Sequence, residues 1–402
     1  MDRRVVITGL GPVTSIGIGI AAFGAGLRAG QSGISPISSF DTTGFPHTMA
    51  GEVRGFEPGS ILKRLDPVEW GQSSLFAAAA ARLAVEDAGI DPELIAGPRS
   101  GASVGTCTGE ALSVQHLTED WVRDGFDDLS GAEFALIPAS RIGAAVNREL
   151  GFTGDAMMLS AACSASNYTI GNAYDMIAGG ELDYVIAGGA DSIVRWGHAG
   201  FYRCGLMAQN ACSPFDRDRT GVLAGEGAAA LFLETLDSAR ERGARIYAEV
   251  LGYGLSCDAR HPVAPDAEGI ARCIRRAHDN AGISPSDVDY ICAHGTGTPA
   301  NDLTETHAVR DVFGATPPPM SSIKSMLGHT MGAASGLGAI ASVLGIKEGF
   351  MPPTINYSTP DPKLGGIDPV PNTARPAQLR IVQNNGFAFG GNNAVTVFGE
   401  VT

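Results

Sequence analysis

Residues 154–166 read GDAMMLSAACSAS and place one cysteine, Cys163, among small residues just ahead of a helix-like stretch. A thiol attacks as its thiolate, which the first turn of a helix stabilises through unpaired backbone N–H groups and the helix dipole. The small residues 164–166 let the chain turn into that helix without a bulky side chain covering the sulfur. The stretch therefore predicts a nucleophilic thiol at the start of a helix.

Short apolar runs bounded by glycine lie on both sides of this stretch and are typical of buried strands. They are Arg4–Thr8, Ser100–Gly105, Tyr184–Gly188, Ala228–Leu233, Ala248–Gly252, Tyr290–Ala293 and Ala394–Phe398. Helical stretches rich in alanine and leucine separate them, at Ser73–Ala88, Asn167–Gly179, Gly269–Ala281, Asp302–Phe313 and Gly332–Lys347. This alternation predicts a layered α/β fold. The Pro- and Gly-rich residues 348–376 predict one long irregular connection.

The chain divides into two halves that share one plan. Each half begins with a strand, places a reactive residue ahead of a small-residue helix, and ends in a pair of strands. Cys163 is the reactive residue of the first half and His329 that of the second. We predict one half at residues 1–245 and the other at 246–402. Identity between the halves is too weak to demonstrate a duplication.

The composition excludes several classes of function. A net charge of -15 over 402 residues argues against general nucleic-acid binding, which needs a basic surface. The seven cysteines include no Cys-x-x-Cys pair, so we expect neither a disulfide framework nor a zinc site, and a reducing compartment. No apolar run reaches the roughly 18 residues of a membrane span, and the charged start leads into a short strand rather than a secretory signal. We expect a cytoplasmic protein without a metal.

Three further segments hold chemically active residues among Gly, Thr and Ser. They are AHGTGTP with His294 (293–299), SIKSMLGHTMGAA with Lys324 and His329 (322–334), and NGFAFGGNN (385–393). Together with the cysteine segment, in this order and spacing, they resemble the β-ketoacyl-[acyl carrier protein] synthases, the condensing enzymes of fatty-acid and polyketide assembly. The likeness runs almost end to end. It implies the thiolase fold, in which two βαβαβαββ halves form a five-layer αβαβα sandwich.

The resemblance also implies the reaction, a decarboxylative Claisen condensation. An acyl chain on Cys163 would be joined to malonyl-[acyl carrier protein], giving a β-ketoacyl carrier and CO2. Neutral imidazoles of His294 and His329 would donate Nε2–H to the enolate oxygen. Lys324 would order the histidines and pair with Glu305. No cofactor of the enzyme's own is expected, because the substrates are carried on the phosphopantetheine of acyl carrier protein.

Further roles around the centre follow from the resemblance. Backbone N–H groups of the nucleophile and of Phe389 would hold the oxyanion, and Phe389 and Phe387 on their glycine-rich loop would gate the site. Thr296 and Thr298 would meet the phosphopantetheine arm. Thr108 matches a pocket position that limits the length of the acyl chain.

Two kinds of partner are implied. Acyl carrier protein is acidic, so an acidic enzyme must offer it a local basic patch, for which Lys63, Arg64 and Arg203 are the candidates. Members of the family dimerise, usually through edge strands near the active-site helix. A homodimer and a heterodimer with a chain-length-factor-like homologue both stay open.

Two departures from the family pattern favour a specialised type II polyketide or fatty-acid-like pathway over housekeeping fatty-acid elongation. Gly338 stands where the family commonly has glutamate, nine residues after the second histidine, and residues 208–214 form a shortened segment. Housekeeping elongation stays an alternative. A non-catalytic, chain-length-factor-like partner is a second alternative, although the intact Cys163 and histidines argue against it. A thiolase acting on CoA esters would need a second catalytic cysteine, which we do not find.

Overall fold

One continuous sheet organises the computed structural model, which describes residues 3–401 apart from the side chain of residue 128. Its principal strands are β1 (Val5–Thr14), β2 (Ser100–Thr106), β3 (Ala156–Ser160), β4 (Tyr184–Asp191), β5 (Gly227–Thr235), β6 (Ala248–Cys257), β7 (Tyr290–Cys292), β8 (Met320–Ser321), β9 (Ile381–Phe387) and β10 (Asn392–Gly399). The short strand Gly17–Ile18 pairs back onto the end of β1. Two small hairpin-like pairs lie outside the sheet: Ser35–Pro36 with Met49–Ala50, and Phe350–Met351 with Arg375–Pro376.

The sheet repeats one strand order twice. Neighbours run β1-β5-β4-β2-β3 in the first set and β6-β10-β9-β7-β8 in the second. In each set the first two pairings are antiparallel and the last two are parallel. The sets join where β1 pairs antiparallel with β6, with Val6 opposite Glu249. The structure thus contains the repeated topology that residue identity was too weak to show.

Helices cover both faces of each strand set. The helices of six residues or more within residues 3–401 are α1 (Ile20–Ala29), α2 (Gln72–Asp87), α3 (Ala111–Asp124), α4 (Arg141–Leu150), α5 (Ala165–Ala178), α6 (Arg195–Arg203), α7 (Leu236–Glu241), α8 (Ala267–Ala281), α9 (Pro299–Phe313) and α10 (Ala334–Glu348). The single turn Lys324–Leu327 is also helical. None of these helices is both long enough and apolar enough to cross a membrane.

The helices form three layers around the two strand sets. α2 and α4 pack outside the first set, α8 and α9 lie outside the second, and α5 and α10 pack between the sets. The result is the five-layer αβαβα sandwich of the thiolase fold. The first twelve residues of α10, Ala334–Gly345, are all buried. Their mostly small side chains let the two strand sets approach this helix from opposite sides.

All the predicted strands and helices are present, with bounds shifted by a few residues. Three of the ten principal strands went unpredicted, namely β3, β8 and β9. The first is contained in the cysteine stretch itself, the second is two residues long, and β9 carries the polar run 383–385, which is nevertheless buried. The connection 348–376 is largely irregular, as predicted.

Candidate active site

Cys163 lies in a tight 3-10 turn, Ala162–Ser164, between β3 and α5. The turn requires an unusual backbone, because Ala162 has a φ of 49°, in the left-handed region. The Ser164 hydroxyl donates to the carbonyls of Ala161 (2.8 Å) and Asn392 (2.8 Å), so a strand of the second half holds the turn. The cysteine is 6% exposed and lines an internal cavity.

The second half brings His329 to the same cavity by an equivalent device. A 3-10 turn, Met331–Ala333, precedes α10, and Met331 has a φ of 51°. The Ser166 hydroxyl of α5 donates to the carbonyl of Gly332 at 2.5 Å. The two turns are therefore tied to each other across the middle layer of the sandwich.

The hydrogen bonds of the two histidines define their tautomers. The N–H of Met331 donates to Nδ1 of His329 (3.1 Å), and Nζ of Lys324 lies 3.5 Å from Nδ1 of His294. Each Nδ1 is thus an acceptor, which leaves the proton on Nε2. Burial, followed by the positive charge of Lys324, holds the pKa of both histidines well below its ordinary value. The site contains two neutral Nε2–H donors, with ring centroids 5.6 Å apart.

The thiol is not a resting thiolate in this structure. Burial raises the pKa of Cys163 to about 11 and outweighs the nearby charge of Lys324, which lowers it. The expectation that the helix start stabilises the thiolate is therefore outweighed by desolvation. Backbone groups of Phe389 and of Cys163 itself also lower the pKa of this thiol, by less than burial raises it. These are the two groups that the resemblance assigned to the oxyanion hole.

Lys324 and Glu305 do not form the expected ion pair. Nζ of Lys324 donates to the carbonyl of His294 (2.6 Å), whereas Glu305 accepts the N–H groups of His294 (2.8 Å) and Gly295 (2.7 Å). Nδ2 of Asn385 also donates to this carboxylate (3.0 Å). The reason is that the backbone amides of the histidine loop need an acceptor and the carboxylate satisfies two of them. Lysine and glutamate therefore hold the backbone of His294 by its carbonyl and its N–H.

A largely apolar cavity of about 190 Å³ contains the predicted centre. Its lining includes Cys163, Phe201, Leu206, Val222, His294, Thr296, Thr298, His329, Phe387 and Phe389. The hydroxyls of Thr296 and Thr298 lie 2.8 Å apart on its wall. Phe389 is 39% exposed and packs 6.1 Å from the ring of Phe201, and Gly390 and Gly391 follow it at φ 80° and 79°. The predicted gate thus lies at the cavity on a glycine hinge.

Thr108 does not line this cavity. Its N–H (2.9 Å) and hydroxyl (2.8 Å) both donate to Asp191 instead. A buried carboxylate needs donors, and this one takes the hydroxyl that the resemblance had placed toward an acyl chain. The chain-length role of Thr108 stays a prediction.

The three basic candidates lie at the surface. Arg64 forms an ion pair with Glu93, and the backbone N–H groups of Lys63 (2.8 Å) and Arg64 (3.0 Å) donate to Glu149. Arg203 ends α6, the helix that also carries the cavity-lining Phe201. Of the three exposed cations, Arg203 is therefore the one that lies only two residues along the chain from a residue of the cavity wall.

An amide side chain stands beside Gly338, where the family commonly has glutamate. A Cβ on Gly338 would lie 2.5 Å from Oδ1 of Asn384. Nδ2 of Asn384 donates to Oδ1 of Asn167 (2.8 Å) and to the carbonyl of Ser335 (2.9 Å). The polar groups beside Gly338 are thus neutral amides and a backbone carbonyl.

Sequence reasoning missed Asp191 and the Asn167–Asn384 pair. The signal for Asp191 was an acidic residue at the end of an apolar strand, and that for Asn384 was a polar run between apolar residues. Among the side chains that the structure describes, no group of three His, Cys, Asp or Glu residues is arranged to hold a metal ion.

Comparisons with known proteins agree with this geometry. Residues 2–239 match the model for the β-ketoacyl synthase N-terminal domain, and residues 247–358 match that for the C-terminal domain. The chain is 37% identical over 418 residues to 3-oxoacyl-[acyl-carrier-protein] synthase 2 of Coxiella burnetii, covering 99% of each. A solved structure titled the ishigamide ketosynthase/chain length factor is 48% identical, with a TM-score of 0.98 and full coverage of both chains. A type II PKS acyl-carrier protein in complex with its ketosynthase bound to the hexaketide is 30% identical, with a TM-score of 0.92 and full coverage of both chains.

Proposed function

The chain belongs to the β-ketoacyl synthase family and is a β-ketoacyl-[acyl carrier protein] synthase, an acyltransferase; we propose that it is the catalytic subunit of a specialised type II polyketide or fatty-acid-like pathway. The observation that carries the reaction is the convergence of one thiol and two Nε2–H imidazoles, Cys163, His294 and His329, on one apolar cavity. The substrates bring their own phosphopantetheine, and we propose no resident cofactor.

The first half-reaction loads the nucleophile. Sγ of Cys163 attacks the thioester carbon of an acyl carrier, the bond from that carbon to the carrier's sulfur breaks, and the thiol proton leaves on the carrier's thiol. The charge of Lys324 favours the thiolate as it forms. The backbone N–H groups of Cys163 and Phe389 are placed to receive the negative oxygen of the tetrahedral intermediate.

The second half-reaction extends the chain. The carboxylate of the malonyl carrier leaves as CO2, and the electrons of the broken C–C bond pass into an enolate whose oxygen accepts Nε2–H from His294 and His329. The enolate carbon attacks the acyl carbonyl on Cys163, the C–S bond breaks, and the thiolate regains a proton from solvent. Because both histidines are neutral donors, neither has to move a proton.

The proposed pathway is supported by similarity to a solved structure, and the proposed partner by an unpaired strand edge of the sheet. The chain is more similar to the ishigamide ketosynthase/chain length factor structure, at 48% identity, than to the Coxiella burnetii synthase, at 37%. β3 ends the sheet with the half-buried Met157, Met158 and Leu159, and no described strand pairs with its outer edge. Such an edge is a site for a second subunit. We propose a chain-length-factor-like homologue there, with a second copy of this chain as the alternative.

The carrier protein would dock on basic surface residues. Of the candidates, Arg203 has the best support, because it ends the helix that carries the cavity-lining Phe201 and forms no ion pair with a described side chain. Arg64 is already paired with Glu93, so its charge is partly compensated. We propose that Lys63, Arg64 and Arg203 together attract the acidic carrier.

Intact-protein mass spectrometry tests the proposal. The chain is mixed with acyl carriers of graded length, then with malonyl carrier, with and without a co-encoded homologous subunit. Acyl mass on Cys163 that discharges as β-ketoacyl carrier is expected. Cys163→Ala should abolish loading, and Cys163→Gln should keep malonyl decarboxylation while losing condensation. Stoichiometric acylation of the alanine variant would refute Cys163 as the nucleophile, and full turnover without the homologous subunit would refute the need for a chain-length-factor-like partner.

A further inference from the structure

Asp191, the last residue of β4, is a fully buried carboxylate that forms no ion pair with any other residue described. Its Oδ1 accepts the hydroxyl of Thr106 (2.7 Å) and the N–H (2.9 Å) and hydroxyl (2.8 Å) of Thr108. Its Oδ2 accepts the N–H groups of Cys107 (2.8 Å) and Gly332 (2.6 Å). Burying a charge without an ion-pair partner costs free energy, which here is offset by five hydrogen-bond donors from two segments distant in sequence.

The carboxylate lies between the two turns of the active site. Gly332 donates its N–H to Asp191 and accepts the Ser166 hydroxyl (2.5 Å) at its carbonyl. The preceding residue, Met331, donates its N–H to Nδ1 of His329 and so defines the histidine's tautomer. One carboxylate therefore holds the histidine turn, and through Ser166 it is linked to the start of α5, directly after the nucleophile.

The repeated topology explains why an anion belongs there. Cys163 and Gly332 are equivalent, since each is the second residue of a 3-10 turn that opens with a left-handed residue and precedes a central helix. A Cβ on Gly332 would lie 2.6 Å from Oδ2 of Asp191. In the second half, a carboxylate thus fills the place of the nucleophile's side chain, at a helix start that favours negative charge.

We propose that Asp191 is a positioning residue for the condensation, holding the His329 turn against the helix that carries Cys163. This inference rests on the proposed function, because it assigns a role in that reaction. Asp191 and Lys324 also act on the Cys163 thiol in opposite directions. The negative charge of Asp191 raises the pKa of this thiol, and the positive charge of Lys324 lowers it.

Two other titratable groups near Asp191 belong to neighbouring segments. Burial raises the pKa of the Cys107 thiol far above its usual range, so this residue stays neutral. Burial also raises the pKa of Glu110, and the charge of Asp191 adds to that rise. Glu110 is bonded to Ser73 and Ser74 rather than to either turn. It is therefore the matched control for loss of a buried carboxylate.

Asp191→Asn tests the assignment, because the Nδ2 of asparagine cannot accept an N–H. We expect condensation to fall about 10²-fold while acyl loading is retained. Iodoacetamide alkylation of Cys163, followed at its own peptide by mass spectrometry, should reach its midpoint about one pH unit lower, since a negative charge is gone. Asp191→Glu should keep the wild-type midpoint, and Glu110→Gln should show neither effect.

The outcomes separate this inference from the proposed function. If Asp191→Asn loses both acyl loading and condensation while the alkylation midpoint of Cys163 is unshifted, Asp191 has only a structural role and the inference is wrong. Alkylation needs no carrier protein, so a wild-type chain that cannot be acylated speaks against the function alone. If Asp191→Asn does not fold, Thr106→Val serves instead, because it removes one hydrogen-bond donor from the Asp191 carboxylate. Loss of that donor favours the protonated carboxyl, so the acid limb of the pH–rate profile for condensation, where the rate falls with falling pH, should move to higher pH. An unmoved limb would contradict the inference.

Discussion

Replacing Gly338 by alanine tests whether Asn384 occupies the space of the missing glutamate. The new Cβ would lie 2.5 Å from Oδ1 of Asn384, where ordinary contact begins at 3.4 Å. Asn384 cannot turn away without cost, because it is 1% exposed and its Nδ2 bonds to Asn167 (2.8 Å) and Ser335 (2.9 Å). Overpacking costs about 1–3 kcal/mol and a lost amide hydrogen bond about 1 kcal/mol, against about 1 kcal/mol gained by replacing a helical glycine. We expect a net loss of about 1–3 kcal/mol.

The sign of the effect should reverse when the obstacle is removed. In an Asn384→Ala background Sγ of Cys292, 3.3 Å from the new Cβ, has to shift by only a few tenths of an ångström, so the same Gly338→Ala change should stabilise the chain by up to about 1 kcal/mol through helix propensity. The coupling between the two sites is therefore about 1–4 kcal/mol. Urea unfolding of the four proteins, with midpoints and slopes compared, measures it.

A glycine in open space supplies the control for this cycle. Gly131 lies in the short helix Gly131–Ala135, and a Cβ there would meet nothing within 4 Å. Gly131→Ala should therefore raise the free energy of unfolding in either background. Equal destabilisation by Gly338→Ala with and without Asn384 would refute the reasoning, because the amide would not be the obstacle.

Three further expectations concern charge. Lys324→Met should move the alkylation midpoint of Cys163 to higher pH, because the lysine charge lowers the pKa of that thiol. Peptide mass spectrometry measures this midpoint, and an unchanged value would argue against electrostatic coupling between Lys324 and Cys163. The pKa of His329 is depressed in the folded chain, so the unfolded chain binds more protons and stability falls on acidification. His329→Asn should lose less stability than wild type between pH 7 and 5.5, by up to about 1.4 kcal/mol per pH unit below the unfolded pKa of about 6.5, as followed by urea unfolding. Glu149→Gln should cost about 3–5 kcal/mol in the same assay, because it leaves the buried Arg82 guanidinium (2.7 Å from Glu149) without its partner; a loss under 1 kcal/mol would contradict this.

The layered fold could be predicted because its strands are apolar runs bounded by glycine and its helices lie between them. β9 escaped prediction because Gln383, Asn384 and Asn385 look like a loop in sequence, yet all three are buried with their amides bonded. Alternation of apolar and polar residues does not detect such a strand. Its side chains satisfy one another only after distant elements have packed.

The nucleophile and the histidines could be predicted because each lies within a short local motif. The partner of Lys324 could not, because spacing along the chain does not show that Glu305 is already taken by two backbone N–H groups. Asp191 escaped for a related reason. Its donors are 83–85 and 141 residues away in sequence, so its environment exists only in the assembled sandwich.

The central place of β1 has a consequence for how the chain is made. β1 leaves the ribosome long before β5 and β6, its long neighbours in the sheet, so Val6 cannot pair with Glu249 until the chain has been made up to that residue. Such long-range pairing makes folding slow, and it leaves a strand buried at all ten positions exposed during synthesis. In the nascent chain, β1 is therefore an apolar strand that lacks its partners β5 and β6 until residue 257 has emerged. Production of this enzyme should depend on chaperone capacity and on translation speed through its first two thirds.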